Sequence, residues 1–307
     1  MPSRARLYWE ICIVLALSLG QSAIYSGLSL LRRALDEVPL GQQQTQLNPT
    51  RDAAAIWDAV YRVLDIFFDL AIVALVVYLL WKPGANALRK MGLDFTHFGG
   101  DAGRGALLLV IIGVPGLGLY ALGRVLGFTV NVVASPVDAA WWTVPLLVLS
   151  AVRAALYEEV ILLGYLFTRL RQLGWGTWSI ILSVAALRGA YHSYQGLGAV
   201  FGNFVMGVVF GWCYQRWGRV MPLVIAHTLL DVVAAELTVR ADVVGRGLCH
   251  PLEHRLADLH RHRVEFLPRA PQAGVARAAF HRVQFDGRRE REDLLGLAAD
   301  VLHAAVT

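Results

Sequence analysis

Charge is the scarce commodity in this chain. Of 307 residues only 17% are charged, while 56% are hydrophobic and the mean hydropathy is +0.51. Soluble domains usually run near 25% charged and 45–50% apolar, so a disordered chain, a fibrous protein and most cytosolic enzymes are excluded. Lysine is almost missing. Lys82 and Lys90 are the only two, and the other 26 of the 28 basic residues are arginines, a bias that follows GC-rich codon usage and says nothing of function. Cysteine is scarce too: Cys12, Cys213 and Cys249 are scattered, odd in number and form no CxxC pair, which excludes a disulfide framework and a cysteine-type zinc site. No HExxH helix is present, which removes the usual zincin arrangement. No run of alternating apolar residues suits a membrane β-barrel.

What the chain has is long apolar runs. A membrane-crossing helix needs about 20 mostly apolar residues. Seven stretches qualify: residues 8–31, 57–81, 105–127, 139–162, 175–194, 197–215 and 220–239. The fold class expected is therefore all-α, a polytopic transmembrane helical bundle of about seven spans with a C-terminal non-membrane tail. Residues 1–55 form an N-terminal span and outer loop, 56–239 the bundle, and 240–307 a polar Arg/His-rich tail expected to be poorly ordered. Residues 241–307 of it hold six of the nine histidines and ten of the arginines, with no metal-ligand spacing among them.

A net charge of +5 in so apolar a chain marks cytoplasmic loops and lipid contact, with no nucleic-acid partner. With the N-terminus inside, the inner segments carry Arg4, Arg6, Lys82, Arg89, Lys90, Arg104, Arg169, Arg171, Arg216 and Arg219. The outer loops carry Arg32, Arg33 and Arg51. The positive-inside rule favours that orientation.

Residues 139–239 place Arg153, Glu158, Glu159, Arg188, His192, His227 and Asp231 in or beside apolar spans. A charge at a helix centre costs about 2.5–3.5 kcal/mol to insert, so five unpaired ones would cost about 12–17 kcal/mol. The charges must therefore pair within the bundle or line a wet cavity. Glu158 and Glu159 diverge by about 100° on a helix, so one can face a reacting centre while the other orients partners. Arg188 and His192, and likewise His227 and Asp231, lie four residues apart on one helix face. A carboxylate and an imidazole around one water make a general base and its orienter. A second histidine can stabilise an oxyanion. Glu158, His192 and His227 are also zinc-ligand types, so a divalent metal such as zinc is the alternative, and spacing does not separate the two. Asp65 and Asp69, one turn apart in the second span, read as a polar face inside the bundle. Gly198, Gly202, Gly207 and Gly211 read as close helix packing, with Asn203 reaching toward the catalytic helices.

The glutamate pair followed by Gly164-Tyr165-Leu166, the histidine ending the next helix and the Ala226-His227…Asp231 segment resemble the CPBP family of CAAX proteases and bacteriocin-processing enzymes, also called the Abi family. The resemblance spans about residues 75–239, with the protease-like core at about 139–239. It implies an integral membrane endopeptidase, CAAX-protease-like, of the bacterial cytoplasmic membrane, acting on a peptide or protein substrate. In it Glu158 is the base that activates water, Glu159 its support and His192 its partner on the water, while His227 and Asp231 serve the substrate carbonyl. Two positions depart from the family pattern. Leu163 stands where the first motif has arginine, and Arg188 stands where an aromatic precedes the histidine by four residues. The two together read as a swap in which Arg188 supplies the missing charge. A transporter-like, scaffold or immunity protein that uses the charge pairs structurally is the other class these residues allow.

Overall fold

The computed structural model describes residues 3–46, 49–133 and 140–238. The expected 240–307 tail lies outside the described residues. The helices are α1 (Arg4–Ala16), α2 (Leu19–Ala34), α3 (Ala55–Leu80), the single turn α4 (Ala87–Lys90), α5 (Phe98–Leu126), α6 (Thr143–Glu159), α7 (Phe167–Gln172), α8 (Thr177–Tyr191), α9 (Leu197–Trp217) and α10 (Met221–Thr238). Two short strands, β1 (Gln44–Gln46) and β2 (Asn131–Val133), pair in parallel.

The all-α membrane architecture stands, while four helices among the described residues, α3, α5, α9 and α10, are by length and composition able to cross a membrane, or five if α1 and α2 count as one bent span, so the count of seven is not confirmed. The 8–31 stretch breaks at Leu17–Ser18, where the Ser18 hydroxyl donates to the Val14 carbonyl at 2.6 Å and the axis bends by 53°. The 139–162 stretch does not end at 162. It runs on as one rod through a π-helical segment, Val160–Leu166, into α7, and its charges keep it from reading as a simple span. The 175–194 stretch shrinks to the 15 residues of α8, about 22 Å at 1.5 Å per residue, which falls short of a bilayer core.

Apolar packing follows the logic of a membrane. α3 and α5 bury only 17% and 11% of their apolar windows inside the protein, and Phe67, Phe68, Leu107 and Val110 point outward. Lipid is as apolar as leucine, so close van der Waals fit rather than water exclusion holds the helices together. α8 packs closely against α9, where a side chain at Gly207 would sit 2.7 Å from the Ala185 Cα. Beside it, Ile161, Leu162, Tyr165 and Phe167 from the π-helical rod, Ile181 from α8 and Phe210 from α9 are fully buried.

The start of α10 is pinned from outside. Val220 and Met221 donate their amides to the carbonyls of Met91 and Gly92. Gly92, at φ +67°, leaves no room for a side chain because Arg219 passes over it. Arg219 grips Asp101 at 2.7 Å and Asp94 at 3.1 Å. Hydrogen bonds from Thr96 and then from Arg219 hold the Asp94 carboxyl well below the usual carboxylate range, and Asp101 above all holds Arg219 in its charged form. This clamp fixes where α10 enters the bundle, and so the height of His227.

Candidate active site

The rod α6–α7 carries the glutamates, α8 brings Arg188 and Tyr191, and α10 brings His227 and Asp231. Glu158 and Glu159 are the last residues before the π-helical segment, a kind of irregularity that recurs at functional sites because it re-aims side chains without ending the helix.

Glu159 is fully buried. Its Oε1 meets both the Arg188 guanidinium and the His227 Nδ1, the latter at 2.7 Å. Glu158 sits on the other side of the rod and is 13% exposed. Its Oε2 accepts from the Tyr191 hydroxyl at 2.5 Å, and lies 3.8 Å from Arg188 Nη1 and 3.9 Å from His227 Nε2. His227 Nε2 also faces Asp231 Oδ2 at 3.6 Å. Arg188 is almost wholly buried, lies over the Phe210 ring and reaches the Met206 sulfur. Thus the structure places Arg188 against the glutamates although Leu163 occupies the family's arginine position.

His192 caps α8. Its Nδ1 lies 3.1 Å from the Arg188 carbonyl, which only accepts, so Nδ1 carries the hydrogen. In the neutral ring Nε2 is then left as an acceptor. His192, Glu158, Tyr191 and Tyr194 line one cavity of about 450 Å³, whose opposite wall is α2. That volume accommodates a short stretch of extended peptide and a water.

Among the described residues Glu159 Oε2 and Arg188 Nε, both buried in this cluster, find no hydrogen-bond partner. Unpaired buried polar atoms are rare and mark a water, an ion or a functional reserve. The donor set for a metal differs from the sequence expectation of Glu158, His192 and His227. The atoms that lie within 4.8 Å of one another belong to Glu158, Glu159 and His227. In number and kind they suit a divalent ion. Their charge balance does not. Arg188 already occupies the same carboxylates, and a dication there would sit against a buried guanidinium. The residues present therefore fit a metal poorly, and no step below runs through one.

Tyr191 is the residue that sequence reasoning missed. Its one signal was adjacency to His192, since an uncharged tyrosine in an apolar helix raises no alarm. Asn203 does not reach the catalytic helices. Its side chain donates to the Ala199 carbonyl of its own helix, the local back-bond available to short polar side chains within a helix. Asp65 and Asp69 are each ion-paired, with Arg51 at 2.9 Å and Arg153 at 2.6 Å.

Residues 140–233 match a family model described as type II CAAX prenyl endopeptidase, Rce1-like. The match covers less than half of the chain and contains all six candidate residues. Neither the curated proteins nor the solved structures contain a match to this chain.

Proposed function

We propose, from an integral membrane protein whose residues 140–233 are Rce1-like, that the chain is an endopeptidase hydrolysing a peptide bond within or near the membrane. The observation that supports this most is the split of the glutamate pair: Glu159 is tied into Arg188 and His227, while Glu158 faces a cavity that His192 shares.

In this reading Glu158 takes a proton from a water held between its carboxylate and His192. The hydroxide attacks the substrate carbonyl carbon, forming a C–O bond. His227, with Nδ1 committed to Glu159, turns Nε2 toward the space between Glu158 and Asp231, where an imidazolium donates to the oxyanion. The C–N bond then breaks, and Glu158 returns its proton to the leaving amine. Arg188 and Glu159 are positioning residues here. Arg188 offsets the cost of two adjacent buried carboxylates, and Glu159 fixes the ring of His227. The N-terminus-inside orientation belongs to the same proposal and rests on the distribution of positive charge; the bacterial cytoplasmic membrane belongs to it through the family resemblance.

The test is peptide hydrolysis by the detergent-solubilised protein, with and without a zinc chelator. Turnover that Glu158→Gln abolishes and the chelator leaves unchanged is expected. Turnover lost to the chelator and restored by zinc would sink the metal-free step. Turnover undiminished in Glu158→Gln would sink the assignment of the base.

A further inference from the structure

A second cavity, of about 750 Å³, lies next to the first. The two share Asp69, Arg153 and Tyr194 as wall residues, so the Asp69–Arg153 ion pair stands at the threshold between them. The faces that form the second chamber are continuous with the catalytic one. On α3, Arg62, Asp65 and Asp69 follow at three- and four-residue steps. On α6, Ser150, Arg153 and Tyr157 do the same and lead to Glu158. Successive residues at those steps share one helix face. From Ser150 to Glu158 the helix rises about 12 Å, the length of about four residues of extended chain.

The outer wall of the chamber is β1, which pairs with β2 on one side only among the described residues. The Gln43 carbonyl accepts from the Asn131 amide on the β2 side. Backbone groups alternate sides along a strand, so those of Gln44 and Gln46 face the other edge. The Gln44 carbonyl already accepts there from Arg33 at 3.1 Å. Arg33 is the chamber's charge out of balance. Arg51, Arg62 and Arg153 each pair with an aspartate, whereas among the described residues Arg33 donates to the neutral acceptors Gln43 Oε1 and the Gln44 carbonyl. The four arginines come from four separate segments, which suits side chains of a passing strand rather than a single chain end.

We infer that this chamber docks an extended peptide segment beside the free edge of β1, with Arg33 selecting an acidic side chain of that segment while the bond to be cut lies at Glu158. The inference rests on the endopeptidase reading for its purpose but on binding for its test.

The experiment measures binding of short labelled peptides to the full-length Glu158→Gln protein in detergent. Three peptides are C-terminally amidated and carry a run of Asp, Asn or Lys. A fourth carries the Asn run with a free carboxylate. The Asp peptide is expected to bind about fivefold tighter than the Asn peptide, the effect of one partly exposed charge pair. Adding Arg33→Glu should reverse the order and make the Lys peptide the tighter ligand, a gain that misfolding cannot produce. Equal binding of the Asp and Asn peptides overturns the inference. So does preference for the free carboxylate alone, or an order unchanged by Arg33→Glu. Hydrolysis of the Asp peptide by the wild type without Arg33-dependent binding removes the docking site and leaves the endopeptidase. Arg33-dependent binding without hydrolysis does the reverse.

Discussion

One helical rod, Thr143–Gln172, carries two buried charge clusters, and they are built to different ends. Near its end, Arg169 donates Nε to Glu10 at 2.6 Å, Nη1 to Gln172 and Nη2 to the Leu79 carbonyl, while the Tyr165 hydroxyl also donates to Glu10. That cluster ties α1, α3 and α7 together and lines neither chamber described above. The glutamate cluster earlier on the rod leaves Glu159 Oε2 and Arg188 Nε without partners and puts Glu158 on a cavity wall. A fully satisfied buried network rigidifies a fold, and a partly satisfied one is retained where something else uses it. On the proposed function, the contrast separates glue from a working site within a single element.

The comparison breaks most decisively at Glu158. Glu158→Gln should lower peptide turnover by about 10²–10⁴-fold, the range of a lost general base, with the melting temperature little changed. Next come the arginines. Arg169→Leu and Arg188→Leu should each cost about 3–5 kcal/mol by stranding a buried carboxylate, read as loss of folded protein on heating in detergent. The apolar double variants sharpen the distinction. Glu10→Leu with Arg169→Leu should recover both stability and turnover. Glu159→Leu with Arg188→Leu should recover stability alone. Recovery of turnover in the second pair would make that cluster glue as well. Tyr191→Phe should lower turnover about fivefold for about 1 kcal/mol of a lost hydrogen bond, read as kcat with KM held.

How far these clusters could be seen in the sequence depends on what kind of residue made them. Glu158, Glu159, Arg188, His227 and Asp231 announced themselves because charge in an apolar run costs several kcal/mol and must be used. The replacement of the motif arginine by Leu163 and the arginine at 188 pointed at each other for the same reason. Tyr191 gave no such signal. The Asp69–Arg153 threshold joins positions 84 residues apart, and no local pattern reports such a pairing. The expected spans and the observed helices differ where both sides of a break are apolar, as at Leu17–Ser18, and where charge runs through the rod, because hydropathy sees neither a bend nor a π-helical register shift.

The smallest effect lies farthest from either cluster, in the clamp at α10. The Asp94 carboxyl is held below its ordinary value of 3.8. A depressed folded-state value stabilises above the unfolded one and is lost as pH falls through the folded one. The stability that the Asp94–Arg219 contact contributes should therefore decline progressively as pH falls below about 4, and Asp94→Asn should remove that pH dependence from the unfolding midpoint while leaving turnover at neutral pH intact.

If Glu158 is the base of a peptide-bond hydrolysis, new protein termini in host membranes should differ between the wild type and Glu158→Gln at equal abundance. A set of termini is expected to vanish with the glutamine variant. Identical termini in the two membranes would contradict it and return the glutamate cluster to the role that Arg169 and Glu10 already fill.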